Sequence, residues 1–183
     1  MNRITRAAVG MITASLLVVV VAGCGPDGGV SLATFPAGSL GPGGTAGPAV
    51  AQTRGDLVRV LGERNLVLQD STAAFRPPED GRFTLTPRAL YQVILPEAPS
   101  QGFIVVYEFP DPTAAREAAS VQARYLASGP ARVQSPFGTR HIMRLVGATV
   151  VLYSWVPDGI EDPRQPDIQA ALETLGVGVP IPS

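Results

Sequence analysis

Residues Thr139 to Val156 read TRHIMRLVGATVVLYSWV, two runs rich in β-formers on either side of Gly147-Ala148. Branched and aromatic side chains dominate both runs, as a pleated, packed surface requires. A two-residue loop led by glycine fits a type II′ turn, whose twist matches that of the strands it joins. The turn sets a register in which Arg140 faces Trp155, His141 faces Ser154, Ile142 faces Tyr153 and Arg144 faces Val151. Strand side chains alternate between faces. His141, Met143, Leu145, Val150 and Leu152 therefore share one face, and Arg140, Ile142, Arg144, Val151, Tyr153 and Trp155 share the other.

Working outward, Ala89 to Leu95 and Gly102 to Phe109 read as two more strands, joined by Pro96 to Gln101 and antiparallel. Asp111-Pro112 is an N-cap followed by proline at the first helical position, and it opens a helix to about Ser128. Gly129-Pro130 closes that helix, and Ala114, Ala118, Val121 and Tyr125 lie on one of its faces. Downstream, Ile168, Ala171, Leu172 and Leu175 have helical spacing ahead of Gly176. Upstream, Thr53 with Asp56 resembles a capping box, ahead of a stripe of Leu57, Val58, Val60 and Leu61. Asn65 ends that helix in the left-handed conformation, and Leu66 to Gln69 form a strand. Ser71 to Pro87, with Pro77, Pro78, Pro87 and Gly81, either wanders or forms a hairpin. The order α-β-β-β-α-β-β-α predicts an α+β fold: an antiparallel sheet of about five strands with two or three helices packed on one face.

The N-terminus has a different character. Arg3 and Arg6 precede an apolar run from Ala7 to Val21, and Val21-Ala22-Gly23-Cys24 ends it with the only cysteine of the chain. Charged, apolar and small-residue regions in that order make a secretory signal peptide. The run is shorter than the ~20 residues of a spanning helix, although an uncleaved anchor is the alternative. The last four residues resemble the lipobox of bacterial lipoproteins. That resemblance implies cleavage before Cys24, acylation of its sulfur and a place outside the cytosol, on the cytoplasmic membrane or on an outer membrane. Gly25 in second position, where Asp would favour inner-membrane retention, permits transfer to an outer membrane. Two or more acyl chains give stable anchoring where one is marginal.

From Gly25 to Pro48 about half the residues are Gly or Pro. Such a segment buries too little apolar surface to offset its ordering entropy, so it reads as a tether of ~25–30 Å root-mean-square reach. The alternative is that Leu32, Phe35 and Leu40 dock on the domain. The expected organisation is thus a signal peptide over 1–23, lipidated Cys24 and tether over 24–48, and one domain over 49–183.

Composition narrows the chemistry. Loss of Arg3 and Arg6 leaves 12 basic against 15 acidic residues, near −3, which argues against nucleic acid as a partner. One cysteine rules out internal disulfides, and with His141 the lone histidine a histidine metal cluster is excluded. Neither calcium-loop spacing, a phosphate-binding glycine loop nor a G-x-S-x-G elbow is present, and no cofactor is implied.

Leu57 to Leu175 also resembles an uncharacterised bacterial envelope domain often found behind a lipobox. The matching pieces are Leu57-Val-x-x-Leu61, the turn at Asn65 and Val105-Val-Tyr-Glu-Phe-Pro-Asp111. The alanine-rich helix, His141-x-x-Arg144, Val150-Val-Leu-Tyr153 and Leu172-x-x-Leu175-Gly176 match as well. The resemblance implies the same fold and carries no activity with it. Members commonly have glycine at the position of Asn65 and aromatics at those of Ile142 and Met143.

Two sites follow. If helices cover only the His141 side, then Arg140, Ile142, Arg144, Tyr153 and Trp155 form an open face of the types enriched at binding hot spots. Otherwise Tyr153 and Trp155 are core, covered by the Ser71 to Pro87 loop or the C-terminal tail. The open face predicts a non-catalytic binding or accessory module of the envelope, whose partner is a protein, a polymer or a small apolar ligand. A second reading is assembly by dimerisation through that face. A third, enzymatic reading builds a hydrolase on a His141–Ser154 contact.

Overall fold

The computed structural model describes residues 47–157 and 162–182; the expected signal peptide, Cys24 and the tether as far as residue 46 lie outside the described residues. Along the chain run α1 (Pro48–Gly62), β1 (Leu68–Asp70), the single turn α2 (Gly81–Thr84), β2 (Arg88–Val93) and a 3-10 turn (Pro99–Gln101). Then come β3 (Phe103–Glu108), α3 (Pro112–Leu126), the short α4 (Gly129–Arg132), β4 (Arg140–Val146), β5 (Thr149–Trp155), α5 (Gln165–Glu173) and β6 (Val177–Gly178). One antiparallel sheet of order β1-β2-β3-β5-β4-β6 results, an α+β architecture. Gly147 has φ 56° and Ala148 does not, as a type II′ loop requires, and the hairpin pairs in the expected register.

The helices do not gather on one face. Val50, Leu57, Val60 and Leu61 of α1 and Ile168, Ala171 and Leu172 of α5 pack with Tyr91, Ile104, Val106, Val151 and Tyr153 on one side. Ala115, Ala118, Ala119, Ala123 and Leu126 of α3, with Phe83 of α2, pack with Val105, Tyr107, Met143, Val150 and Leu152 on the other. The sheet is the middle of three layers. The reason lies in β3 and β5. Both are inner strands, with Ile104 to Tyr107 and Thr149 to Tyr153 buried without a break. A strand covered on both faces reads as a continuous apolar run instead of an alternating one.

Local signals hold unevenly. Asp111 accepts hydrogen bonds from the Thr113 and Ala114 amides, each 2.8 Å, with Pro112 at the first helical position. The buried stripe of α3 is Ala115, Ala118, Ala119, Gln122, Ala123 and Leu126, displaced from the expected Ala114, Val121 and Tyr125. Gly129-Pro130, expected to end α3, opens α4 instead. Asn65 is left-handed at φ 57°. Thr53 is not a cap. The helix starts at Pro48, because the Glu108 carboxylate accepts hydrogen bonds from the Gly47 and Ala49 amides sixty residues away. Thr53 is buried inside the helix, its hydroxyl 2.8 Å from that of Thr149. β6, which the sequence pattern did not announce, depends on Gly176 at φ 49°. A β-carbon there would come within 2.2 Å of the Leu145 carbonyl oxygen.

The 71–87 segment forms no hairpin. It is pinned by polar side chains. Gln122 reaches the Pro78 carbonyl and the Asp80 amide, each at 2.8 Å. Glu79, its side chain 2 % exposed, pairs with Arg76 and Arg88 and accepts a 2.7 Å hydrogen bond from the Tyr107 hydroxyl. Burial beside that carboxylate pushes the Tyr107 hydroxyl well above its ordinary pKa. In the same way the buried Asp162 carboxylate accepts from Arg164 and from the Glu97 amide. The Arg164 hydrogen bond holds its pKa low.

Removing one partner of a buried charged hydrogen bond costs about 1.5–3 kcal/mol, and stranding a buried ion costs about 3–5 kcal/mol. In urea unfolding, Tyr107→Phe is expected to fall in the lower range and Glu79→Ala in the upper, since it leaves Arg88 facing Tyr107 unpaired. A Glu79→Ala loss smaller than that of Tyr107→Phe refutes this order.

Candidate functional site

The face expected to be open is core. Tyr153 is fully buried and Trp155 is 8 % exposed, the two rings stacked with centroids 5.3 Å apart. Helices α1 and α5, not the 71–87 loop or the C-terminal tail, provide the cover. Ile142 is half-buried against the same cluster. Arg144 is engaged within the domain: its guanidinium donates to the Glu173, Leu175 and Gly176 carbonyls at 2.7, 2.6 and 3.1 Å. A cation on the free carbonyls at a helix end satisfies them and complements the helix dipole. Arg140 alone of the five is exposed, and the cation–π contact among the described residues is Arg54 over Tyr91, not Arg140 over Trp155. With both faces covered, two copies have no open sheet faces to stack.

The Tyr153 hydroxyl and Gln165 Oε1 are the buried side-chain polar atoms without a hydrogen-bond partner among the described residues. Burial raises the Tyr153 pKa and the neighbouring Gln165 side chain opposes the rise.

Open space lies at one end of the sheet, where β4 begins and β5 ends. A cleft of about 670 Å³ lies there, its walls including Arg132, Phe137, Arg140, His141, Trp155 and Glu173. A second, of about 430 Å³, takes in Phe75, Pro78, Gln101, Gln134 and Ser154. Ser135, Pro136, Thr139 and Trp155 border both clefts, so the 133–139 loop is the partition between them. Phe137 at the tip of that loop is 97 % exposed, and Val133 at its base 85 %. Arg132, Phe137 and the glutamine walls were not singled out from the sequence. An aromatic residue between Pro136 and Gly138, in a turn where nothing local can bury it, is the signal that was there to read.

His141 and Ser154 do meet. The hydroxyl lies 2.7 Å from Nδ1, the contact that the hairpin register implied. Each side chain belongs to a different cleft. Burial lowers the His141 pKa, so the ring is neutral at pH 7 and can take a proton from the hydroxyl or give one to it. His141 makes no contact with a carboxylate among the described residues, so a third group to orient the ring, as in a catalytic triad, is missing from its surroundings. No group of three His, Cys, Asp or Glu among the described residues could hold a metal ion, and none of the described helices is long and apolar enough to cross a membrane.

A histidine whose folded pKa lies below its unfolded value of 6.5 destabilises the fold when protonated. Above pH 6.5 both states are neutral and His141 contributes no slope. As pH falls from 6.5 through the lower folded value, the unfolded chain takes up the proton first. Stability therefore drops across that window and levels off beneath it. The imidazole proton resonance of the single histidine should titrate with a midpoint below 6.5, and His141→Gln should remove its part of the stability loss between pH 7 and pH 5. A midpoint at or above 6.5 contradicts this. No family model, curated protein or solved structure matches the chain, so its function has to be argued from this site itself.

Proposed function

We propose that this protein is a lipid-anchored, extracytoplasmic, non-catalytic binding or accessory module of the cell envelope, tethered through Cys24 and holding its partner in the sheet-end clefts. The observation that carries the reading is an opening lined by aromatic, glutamine and arginine side chains, where β4 begins and β5 ends. Apolar walls with a few convergent polar groups are the usual composition of a ligand site. The layout fits a tethered module. The chain enters the domain at Gly47, held by Glu108 at the end of β3, while Thr53 touches Thr149 beside the Gly147-Ala148 turn. The clefts lie at the far end of the β4–β5 hairpin, about 20 Å away at ~3.3 Å per residue. A partner there sits at the end of the hairpin away from Gly47.

Two experiments test it. Cys24→Ser should abolish incorporation of labelled palmitate and move the protein out of the membrane fraction; if it stays membrane-bound, the anchor is not lipid on Cys24. Trp155, the only tryptophan, borders both clefts, so its emission reports occupancy. Envelope peptides, glycan fragments or small apolar molecules should shift that emission saturably, and Phe137→Ser should weaken the response several-fold without changing the unfolding midpoint. An emission that no class of molecule moves refutes the binding site.

The His141–Ser154 contact supports a hydrolase as second reading. A fluorophosphonate probe that labels the protein at Ser154, and loses the label in His141→Ala, would favour it over the binding module. Absence of labelling leaves the pair a structural cross-strand contact.

A further inference from the structure

Strand β4 is an inner strand along its second half and a sheet edge along its first. β6 pairs with it at Arg144 and Leu145, and the Val179 amide donates to the Met143 carbonyl at 3.0 Å. Pro180 and Pro182 then flank Ile181, and the ladder stops. The two-residue turn decides which β4 groups face outward. Val146 and Thr149 close the hairpin, so even-numbered β4 residues bond to β5 and odd-numbered ones face away from it. The Val179 bond to Met143 agrees with that parity. The next outward pair is the N–H and C=O of His141, and among the described residues neither has a protein partner.

An unpaired strand segment is a template for another strand. Here it borders the larger cleft, which His141 lines together with Ile181 and Pro182 of the tail. Arg132 and Arg140 on the walls are exposed and join none of the ion pairs among the described residues. Among the described residues Glu173 is the single carboxylate of the lining, beside two arginines, so their sum is positive in a chain whose formal charge is −1. Phe137 stands above it with its ring in solvent.

Resting on the binding reading above, we propose that the first half of β4 accepts a further strand: an extended peptide that bonds to the His141 main chain and places a carboxylate between Arg132 and Arg140. The carboxylate belongs either to the peptide's C-terminus or to an Asp or Glu side chain. Main-chain bonds supply the docking, and the guanidinium pair supplies the choice of an acidic segment over a neutral one.

The full chain in detergent micelles is offered three pools of peptides of about six residues, a strand's length. One pool ends in a free carboxylate, one is amidated with internal Asp or Glu, and one is amidated without acidic residues. Binding is read by Trp155 emission and by amide exchange. An acidic pool is expected to bind: the first pool alone identifies a terminal carboxylate, and the second identifies a side chain. A peptide selected from it should slow exchange of the His141 amide at least tenfold, and Arg132→Gln with Arg140→Gln should weaken it about tenfold. N-methylation of the peptide amide facing His141 should weaken it similarly. Both arginines are exposed, so their replacement leaves the core intact. Binding of the neutral pool as tight as the acidic ones, binding without protection of His141, or indifference to the arginine changes each overturns the proposal. If glycan or apolar molecules shift Trp155 emission and no peptide does, strand addition falls and the binding module stands. If nothing shifts it, both fall.

Discussion

Burial of β3 and β5 on both faces is the constraint from which the rest of the architecture follows. Val105 and Val106 point to opposite sides of the sheet and neither is more than 1 % exposed; the same holds for Val150 and Val151. Each such side chain gains about 1.5–3 kcal/mol from leaving water, and a sheet with apolar groups on both sides keeps that gain only when both sides are covered. Helices α1 and α5 supply one cover, α3 and the 71–87 segment the other. The alanines of α3 let it approach the sheet closely, and the bulky Leu57, Leu61, Ile168 and Leu172 fill the opposite layer.

Polar side chains then lock the layers together, mostly over long sequence separations. Glu108 caps α1, Arg144 satisfies the end of α5, Gln122 and Glu79 hold the irregular 71–87 segment, and Asp162 ties the segment before α5 to the Glu97 amide. Each satisfies a main-chain or charged group that burial would otherwise leave without a partner. In a domain so occupied, most arginines and carboxylates that look available for function are structural. Arg144 and Glu79 are the plainest cases.

The clefts are the remainder of this arrangement. β4 extends past β6, β5 extends with it, and the 133–139 loop crosses the end of the pair without filling it. Side chains without an ion-pair or hydrogen-bond partner among the described residues collect there: Arg132, Arg140, Glu173 and the solvated ring of Phe137. The His141–Ser154 contact lies across the same pair of strands, half-buried, its ring kept neutral by its surroundings. Function is proposed at the place where internal satisfaction ends.

Nearest-neighbour chemistry was enough to read the β4–β5 register, the Asp111-Pro112 start of α3, the left-handed Asn65 and the α+β class. Each depends on groups within a few residues or on one two-residue turn. The cover on the Tyr153–Trp155 face, the Glu108 cap at Pro48 and the pairing of β6 joined residues tens of positions apart, and no local pattern encodes such meetings. Alternation along β4 was real, yet alternation states only which residues share a face. Whether that face meets water or a helix depends on where α1 and α5 come to rest, and their apolar stripes settle that only in three dimensions.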